Sequence, residues 1–404
     1  MAGKSAFFTE IVGFRIYLAL WVAIGHGLQT AGYFDGRNPV LGFLLNGHEA
    51  VILFMIVSGF VITNLLQTKR ENYSAYITRR FFRLFPAYAL ACVAGYLVID
   101  AWASLNSHMP WSGERAAISA TERISILRDQ VTYNLAPHLA AHAVMLHGLL
   151  PDEVLLRSPM TLLPAAWSVS LEWQFYLLAP AILAMTRSTG RMVVLIGLSL
   201  AMFVAFKIGL LGHYAINATI AGNMPYFLLG IASRQFYDRL AVLPISPVLA
   251  AVVVVLIGVV AANKTISLTI WGIFYGYSLW HKNSPFTGPV FRFLTQSKPF
   301  QLLGESSYSL YLIHRPIQIT VIYLLMDRIV LTHQIVLATQ ILAICIALPV
   351  SILIFFTVER PGIAIGRKIA ARLRAGNAES LRSPEPPGRS DEIIAPPIAP
   401  AAAG

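Results

Sequence analysis
Long apolar stretches recur along almost the whole chain, and each approaches the roughly 20 residues needed to cross about 30 Å of hydrocarbon. Ten are delimited, at 11–31, 48–67, 84–101, 166–186, 192–211, 219–235, 243–262, 266–281, 301–325 and 334–357. The pattern predicts an all-α polytopic membrane protein of about ten transmembrane helices with both termini cytoplasmic. In the longest loop, about 102–165, lies a further apolar piece, LAAHAVMLHGLL. It is too short to span and reads as a re-entrant or interfacial helix; if it did span, the downstream topology would invert. No internal repeat at a fixed period is found, which weakens an inverted-repeat transporter reading.

Composition agrees with the pattern. Of the 404 residues 56% are hydrophobic and 12% charged, with a mean hydropathy of +0.65, outside the range of soluble domains. The formal charge of +11 would suggest nucleic acid in a soluble protein. Here the cations gather on one side of the ten spans, among them Lys69, Arg79, Arg80, Arg83, Arg234, Arg239, Arg367 and Arg372, as positive-inside orientation requires. No nucleic-acid partner is expected.

Cys92 and Cys345 lie far apart inside apolar stretches, so neither a disulfide framework nor a metal site is expected. The N-terminal apolar run carries Arg15 and His26 and lacks a small-residue cleavage site, and reads as a retained first span. Residues 1–370 are expected to form the membrane domain. Residues 371–404 are expected to form a cytoplasmic Pro/Ala-rich disordered tail, most marked from Asn377.

Polar groups inside a membrane are costly, an Arg near mid-helix about 2.5–3.5 kcal/mol, so they are functional candidates by default. Arg15 and His26 stand eleven positions apart, close to three helical turns, on one face and about 16 Å apart along the axis. His26 then lies roughly 22 Å from the start of its span, beyond the midplane. Arg15 either snorkels to the surface or lines a groove with His26, which itself either bonds a neighbouring carbonyl or serves chemistry. In TKRENYSAYITRRFFRLFPAY, Arg80 and Arg83 sit one turn apart: a phosphate clamp, or ordinary flanking charge. AWSVSLEWQFYLLAP places Glu172 among aromatics, and LGESSYSLYLIHRPI places Tyr308, Ser309, Tyr311, His314 and Arg315 in one stretch. Ser58 lies in LFMIVSGFVIT, and Glu359, at the end of the last span, reads as a simple charge partner for the neighbourhood of Arg360.

Taken in order, these pieces resemble the acyltransferase-3 family of integral membrane acyltransferases, which modify exopolysaccharides, O-antigens, Nod factors and some macrolides. The resemblance covers about 9–362 and rests on Arg15 to His26, LFMIVSGFVIT, RRFFRLFPAY, WSVSLEWQFY, SYSLYLIHRPI and VERP. It implies that His26 is catalytic with Arg15 as its partner, and that Arg80 and Arg83 bind the donor. Ser58, Glu172, Tyr308, Ser309, Tyr311 and His314 would line the site, the last four including possible oxyanion donors. The sequence departs from the family at Met55, where a second Phe is common, and at Ile52, often Asp.

The resemblance further implies acyl-CoA, with acetyl-CoA as the default donor, no metal, and a glycan or lipid-linked saccharide as acceptor. O-acetylation of a polysaccharide at the bacterial inner membrane is the expected activity, in contact with membrane lipid and glycan biosynthesis machinery. No esterase-like domain or GDS motif is found, so the chain reads as a stand-alone member. Sequence leaves open whether His26 acts as general base or carries the acyl group. Two other readings compete. HGLLPD gives His147 and Asp152 the spacing of the soluble and peripheral glycerolipid acyltransferases, although its Pro spoils a simple helical arrangement. A transporter or flippase of a glycan or lipid-linked sugar would also explain ten spans with charges inside.

Overall fold
The computed structural model describes residues 3–69, 71–242, 266–280, 285 and 287–380, with side chains for residues 9–374 of these except Trp280. Among the described residues the chain is helical and carries no strand. The helices are α1 (Gly3–Thr30), α2 (Pro39–Leu45), α3 (Gly47–Thr68), α4 (Tyr73–Leu97), α5 (Ile99–His108), α6 (Arg115–Tyr133), α7 (Leu135–Ala143), α8 (Trp167–Met185), α9 (Thr189–Lys207) and α10 (Ile220–Leu240). After residues outside the described set come α11 (Ile266–Trp280), α12 (Thr287–Gln296), α13 (Lys298–Glu305), α14 (Ser307–Leu325), α15 (His333–Ile354) and α16 (Arg360–Ser380).

Five stretches are long and apolar enough to cross a membrane: Thr9–Thr30, Gly47–Thr68, Pro164–Met185, Thr189–Lys207 and His333–Arg374. A sixth is the pair α4 and α5, bent by 48°. This is fewer than the ten expected, and the differences have physical causes. The span at 219–235 falls on α10, whose C-terminal part carries Arg234, Asp238 and Arg239. The span at 266–281 falls on a helix of 15 residues. The stretch 301–325 is divided between α13 and α14, and α14 carries His314, Arg315 and Gln318 in its middle. The span at 243–262 lies outside the described residues.

LAAHAVMLHGLL does not span: α7 is nine residues long, and Met145 beyond it takes a positive φ of 55°. At the other end α16 runs to Ser380, past the boundary drawn at 370.

α14, a helix with a polar centre, is well shielded. α14 lies against α1, α4, α5 and α15, and His314 and Gln318 are fully buried. Hydropathy fails there because the wall, and not the helix itself, meets the lipid. The opposite case is α9, where Val193, Val194, Ile196, Leu198, Leu200 and Val204 are all exposed, as a lipid-facing helix requires.

Glycines set the closest helix contacts. A Cβ on Gly59 of α3 would overlap the Phe227 carbonyl of α10, and one on Gly230 the Ile56 carbonyl. Gly13 of α1 meets Thr295 of α12 in the same way, and Gly304 of α13 meets Val12. Small residues let backbones approach where apolar side chains gain little from leaving lipid. Between α15 and α16, Phe355–Glu359 forms one π-helical turn that places Glu359 in the interior with no exposure.

Candidate active site
α1 and α14 run past each other and bring two histidines into contact. His26 Nδ1 lies 3.0 Å from His314 Nε2, with the rings 5.2 Å apart and 14° from parallel. His314 Nδ1 is 3.3 Å from the Leu310 carbonyl one turn back. A carbonyl only accepts, so His314 carries its proton on Nδ1, and its Nε2 accepts from His26 Nδ1–H. His26 is thereby held in one orientation with its Nε2 lone pair uncommitted. Thr30 Oγ1 donates to the His26 carbonyl at 2.9 Å, and Arg315 donates to Thr30 Oγ1 at 2.6 Å.

A cavity of about 230 Å³ opens on the Arg15 side of this pair. Its walls include Arg15, Ser58, Arg80, Arg83, Glu172, Tyr308 and Tyr311, seven of the ten residues singled out from sequence. Val51, Phe54, Met55, Val57, Val61, Ile62 and Phe227 give it an apolar lining as well. Ile52, at the position where the resemblance implies a carboxylate, is 5% exposed and does not line it.

The two arginines of the expected clamp differ. Arg83 forms an ion pair with Glu359, which also accepts from Ser309 Oγ at 2.7 Å, and its guanidinium lies 5.9 Å from the Tyr308 ring centre. Arg80 lies over Tyr176 at 5.7 Å and makes no ion pair among the described residues. Arg79, its neighbour, is spent on the buried Glu71. Among Arg79, Arg80 and Arg83, Arg80 is the cation free to meet an anion, whereas Arg83 is anchored.

Two other expectations change. Ser309, considered as an oxyanion donor, has its hydroxyl committed to Glu359, and Glu359 partners Arg83 where a charge near Arg360 was expected. Glu172 accepts from Ser58 Oγ at 3.3 Å and from Tyr176. Tyr311 bonds the Ala165 carbonyl at 3.0 Å and Ser168 Oγ at 2.8 Å, and Tyr308 the Leu84 carbonyl at 3.0 Å. Tyr176 was missed in the sequence, although its position one turn after Glu172 was a usable signal.

A second cavity, of about 360 Å³, lies at the other end of the pair. Gln29 and Thr30, three and four residues beyond His26 on the same face of α1, reach it, and so does Arg315, next to His314. Along α14 the order is Tyr311 at the first cavity, His314, then Arg315 at the second. Along α1 it is Arg15, His26, then Thr30. In the order of residues along both helices the histidine pair falls between the two cavities, although neither imidazole is among the residues that line either one.

His147 and Asp152 do not meet as a catalytic dyad. His147 is fully buried, with Nδ1 3.3 Å from Tyr88 Oη and Nε2 3.1 Å from the Ala166 carbonyl. Asp152 instead accepts from the Arg157 backbone N–H at 3.0 Å. His147 stacks on His142 at 4.0 Å, with His138 beside them. Burial pushes the pKa of His138 and of His147 down to about 4, and that of His142 further below its ordinary value, with His147 adding to the effect. Among the described residues no group of three His, Cys, Asp or Glu side chains is placed to hold a metal ion.

No curated protein and no solved structure matched the chain. The family described as an acyltransferase domain, acyltransferase-3, matches residues 8–358. That stretch spans α1 to the π-helical turn, and so includes both cavities and the histidine pair between them. The chain belongs to the acyltransferase-3 family.

Proposed function
We propose that the protein transfers an acyl group, acetyl by preference, from acyl-CoA to a hydroxyl of an envelope or exported glycan, with His26 as general base. The observation that carries the reading is the His26–His314 pair between two cavities. One cavity carries three arginines, Arg15, Arg80 and Arg83, against one carboxylate, Glu172, beside an apolar lining, which suits the phosphates and thin acyl-pantetheine arm of a coenzyme thioester. Of the clamp pair Arg80 and Arg83, Arg80 is the one free to bind an anion. The Arg80 end is cytoplasmic in this reading, and the other cavity admits the acceptor.

In the reaction His26 Nε2 takes the proton of the sugar hydroxyl as its oxygen attacks the thioester carbonyl. The new C–O bond forms, the C–S bond breaks, and the proton passes to the departing thiolate, giving ester and free CoA thiol. His314 accepts from Nδ1–H throughout and supports the imidazolium as Asp supports His in hydrolytic triads, though without a full charge. General-base assistance of this kind contributes about 10²–10⁴-fold. The acyltransferase family leaves the transporter reading without support.

The test is thiol release from acetyl-CoA by protein in lipid with a native envelope glycan pool. His26→Ala is expected to abolish acceptor-dependent release while the protein stays folded. Arg80→Ala is expected to raise the donor KM about tenfold or more, the weight of a charge-assisted hydrogen bond. Undiminished release from His26→Ala would overturn the base assignment. Folded wild-type protein that neither binds nor turns over acetyl-CoA would overturn the whole reading.

A further inference from the structure
The second cavity is built for a ligand of its own. Two buried donors on its wall, Trp102 Nε1 and Asn106 Nδ2, have no hydrogen-bond partner. They stand four residues apart on one face of α5. An unpaired buried donor costs roughly 1–3 kcal/mol, so two on residues that line one space favour an acceptor-rich occupant. Phe34, Trp102 and Trp111 give the same space aromatic walls. Arg315 lies over Trp102 at 4.9 Å, and Arg123 also lines the cavity, which has no carboxylate among its lining residues.

Resting on the function proposed above, we infer that this cavity is the acceptor chamber and that it takes a pyranose ring bearing an anionic substituent, carboxylate or phosphate. Sugar hydroxyls accept from Trp102 Nε1–H and Asn106 Nδ2–H, and the ring's C–H face lies on the aromatic wall. The anionic substituent is drawn by Arg315 and Arg123. Thr30 and Arg315, both bonded to each other and reaching His26 through its carbonyl, mark where the ring's reacting hydroxyl leaves the chamber toward the imidazole.

The experiment uses the full chain in lipid with acetyl-CoA and three probes: methyl glucuronoside, methyl glucoside 6-phosphate and neutral methyl glucoside. Asn106→Ala and Trp102→Leu are expected to raise the KM for the charged probes at least tenfold while the KM for acetyl-CoA stays put. Uronate against phosphate rates identify the anion. Because poor folding of these variants would give the same loss, Ala116→Cys in a Cys345→Ser background provides a second arm, since Ala116 is exposed and lines the cavity. Labelling that thiol after folding is expected to block transfer without blocking coenzyme binding, and the charged probes are expected to slow the labelling.

Unchanged acceptor KM in the variants, together with full transfer by the labelled protein, would overturn the chamber and leave the thioester chemistry standing. Equal use of the neutral and charged probes would overturn the anionic preference. Loss of coenzyme binding in wild type would instead strike the function itself.

Discussion

At the residue scale the arrangement makes His314 a positioning residue. It takes the His26 Nδ1–H and fixes which nitrogen of His26 faces the reaction. Gln offers an amide oxygen that can accept the same bond, whereas Ala removes it. His314→Gln is therefore expected to keep kcat within about tenfold of wild type, and His314→Ala to lose about 10²-fold or more, with the donor KM little changed in both. The acidic limb of the kcat–pH profile, which reports protonation of the base, should shift in His314→Ala and stay near its wild-type position in His314→Gln. Equal losses in the two variants would argue against the tautomer role. Sequence carried His26, Arg15 and Arg80 to this neighbourhood through spacing and residue type. It did not carry the bonds, because Ser309 and Glu359 are 50 residues apart and Arg83 and Glu359 are 276 apart. Such pairs become visible only once the helices are laid side by side.

At the scale of elements the site depends on how closely helices approach. α3 and α10 meet at Gly59 and Gly230, where the partner carbonyls leave no room for a Cβ. Phe227, whose carbonyl faces Gly59, also lines the first cavity. Gly230→Ala must push the helices apart, and a cost of about 1–3 kcal/mol is expected from overpacking. Thermal unfolding in detergent should show it as a lower melting temperature, with the donor KM raised through the displaced Phe227. Gly190, with nothing within 4 Å of its Cβ position, is the control, and Gly190→Ala should leave both values unchanged. Apolar length was a good guide for α1, α3, α8, α9 and α15. It was a poor one for α10 and α14, whose polar residues face protein, since window averages do not register which side of a helix meets lipid.

At the scale of the whole molecule α7 and the segment that follows it tie the helices together through buried imidazoles. His138, His142 and His147 are held neutral by burial in the folded chain, while in the unfolded chain they titrate near 6.5. Their folded values are lowered, so the stability they permit is complete above about pH 6.5. It falls as the unfolded state takes up protons, down toward the folded values near 4. For His147 the loss is on the order of 2 kcal/mol by about pH 5. Melting temperature in detergent should drop between about pH 7 and pH 5, and His147→Gln should flatten part of that drop. A melting temperature that does not change over this range would show that the cluster does not govern acid stability. The fold class was legible from the sequence because membrane passage imposes it on the pattern. The two-cavity plan was not legible, since it arises from where α5 and α6 close over the end of α1 and the middle of α14.

The histidine pair has one more consequence. Two imidazoles in contact between two cavities are also stepping stones along which protons can hop, and in a membrane such a path is a leak. Here the second stone is a dead end: His314 gives its Nδ1–H to the Leu310 carbonyl, which has no proton to pass on and none to return. A proton collected at His26 can leave only by the face on which it arrived. The chain can thus hold a cavity at either end for bulky substrates and still be insulating toward the smallest ion.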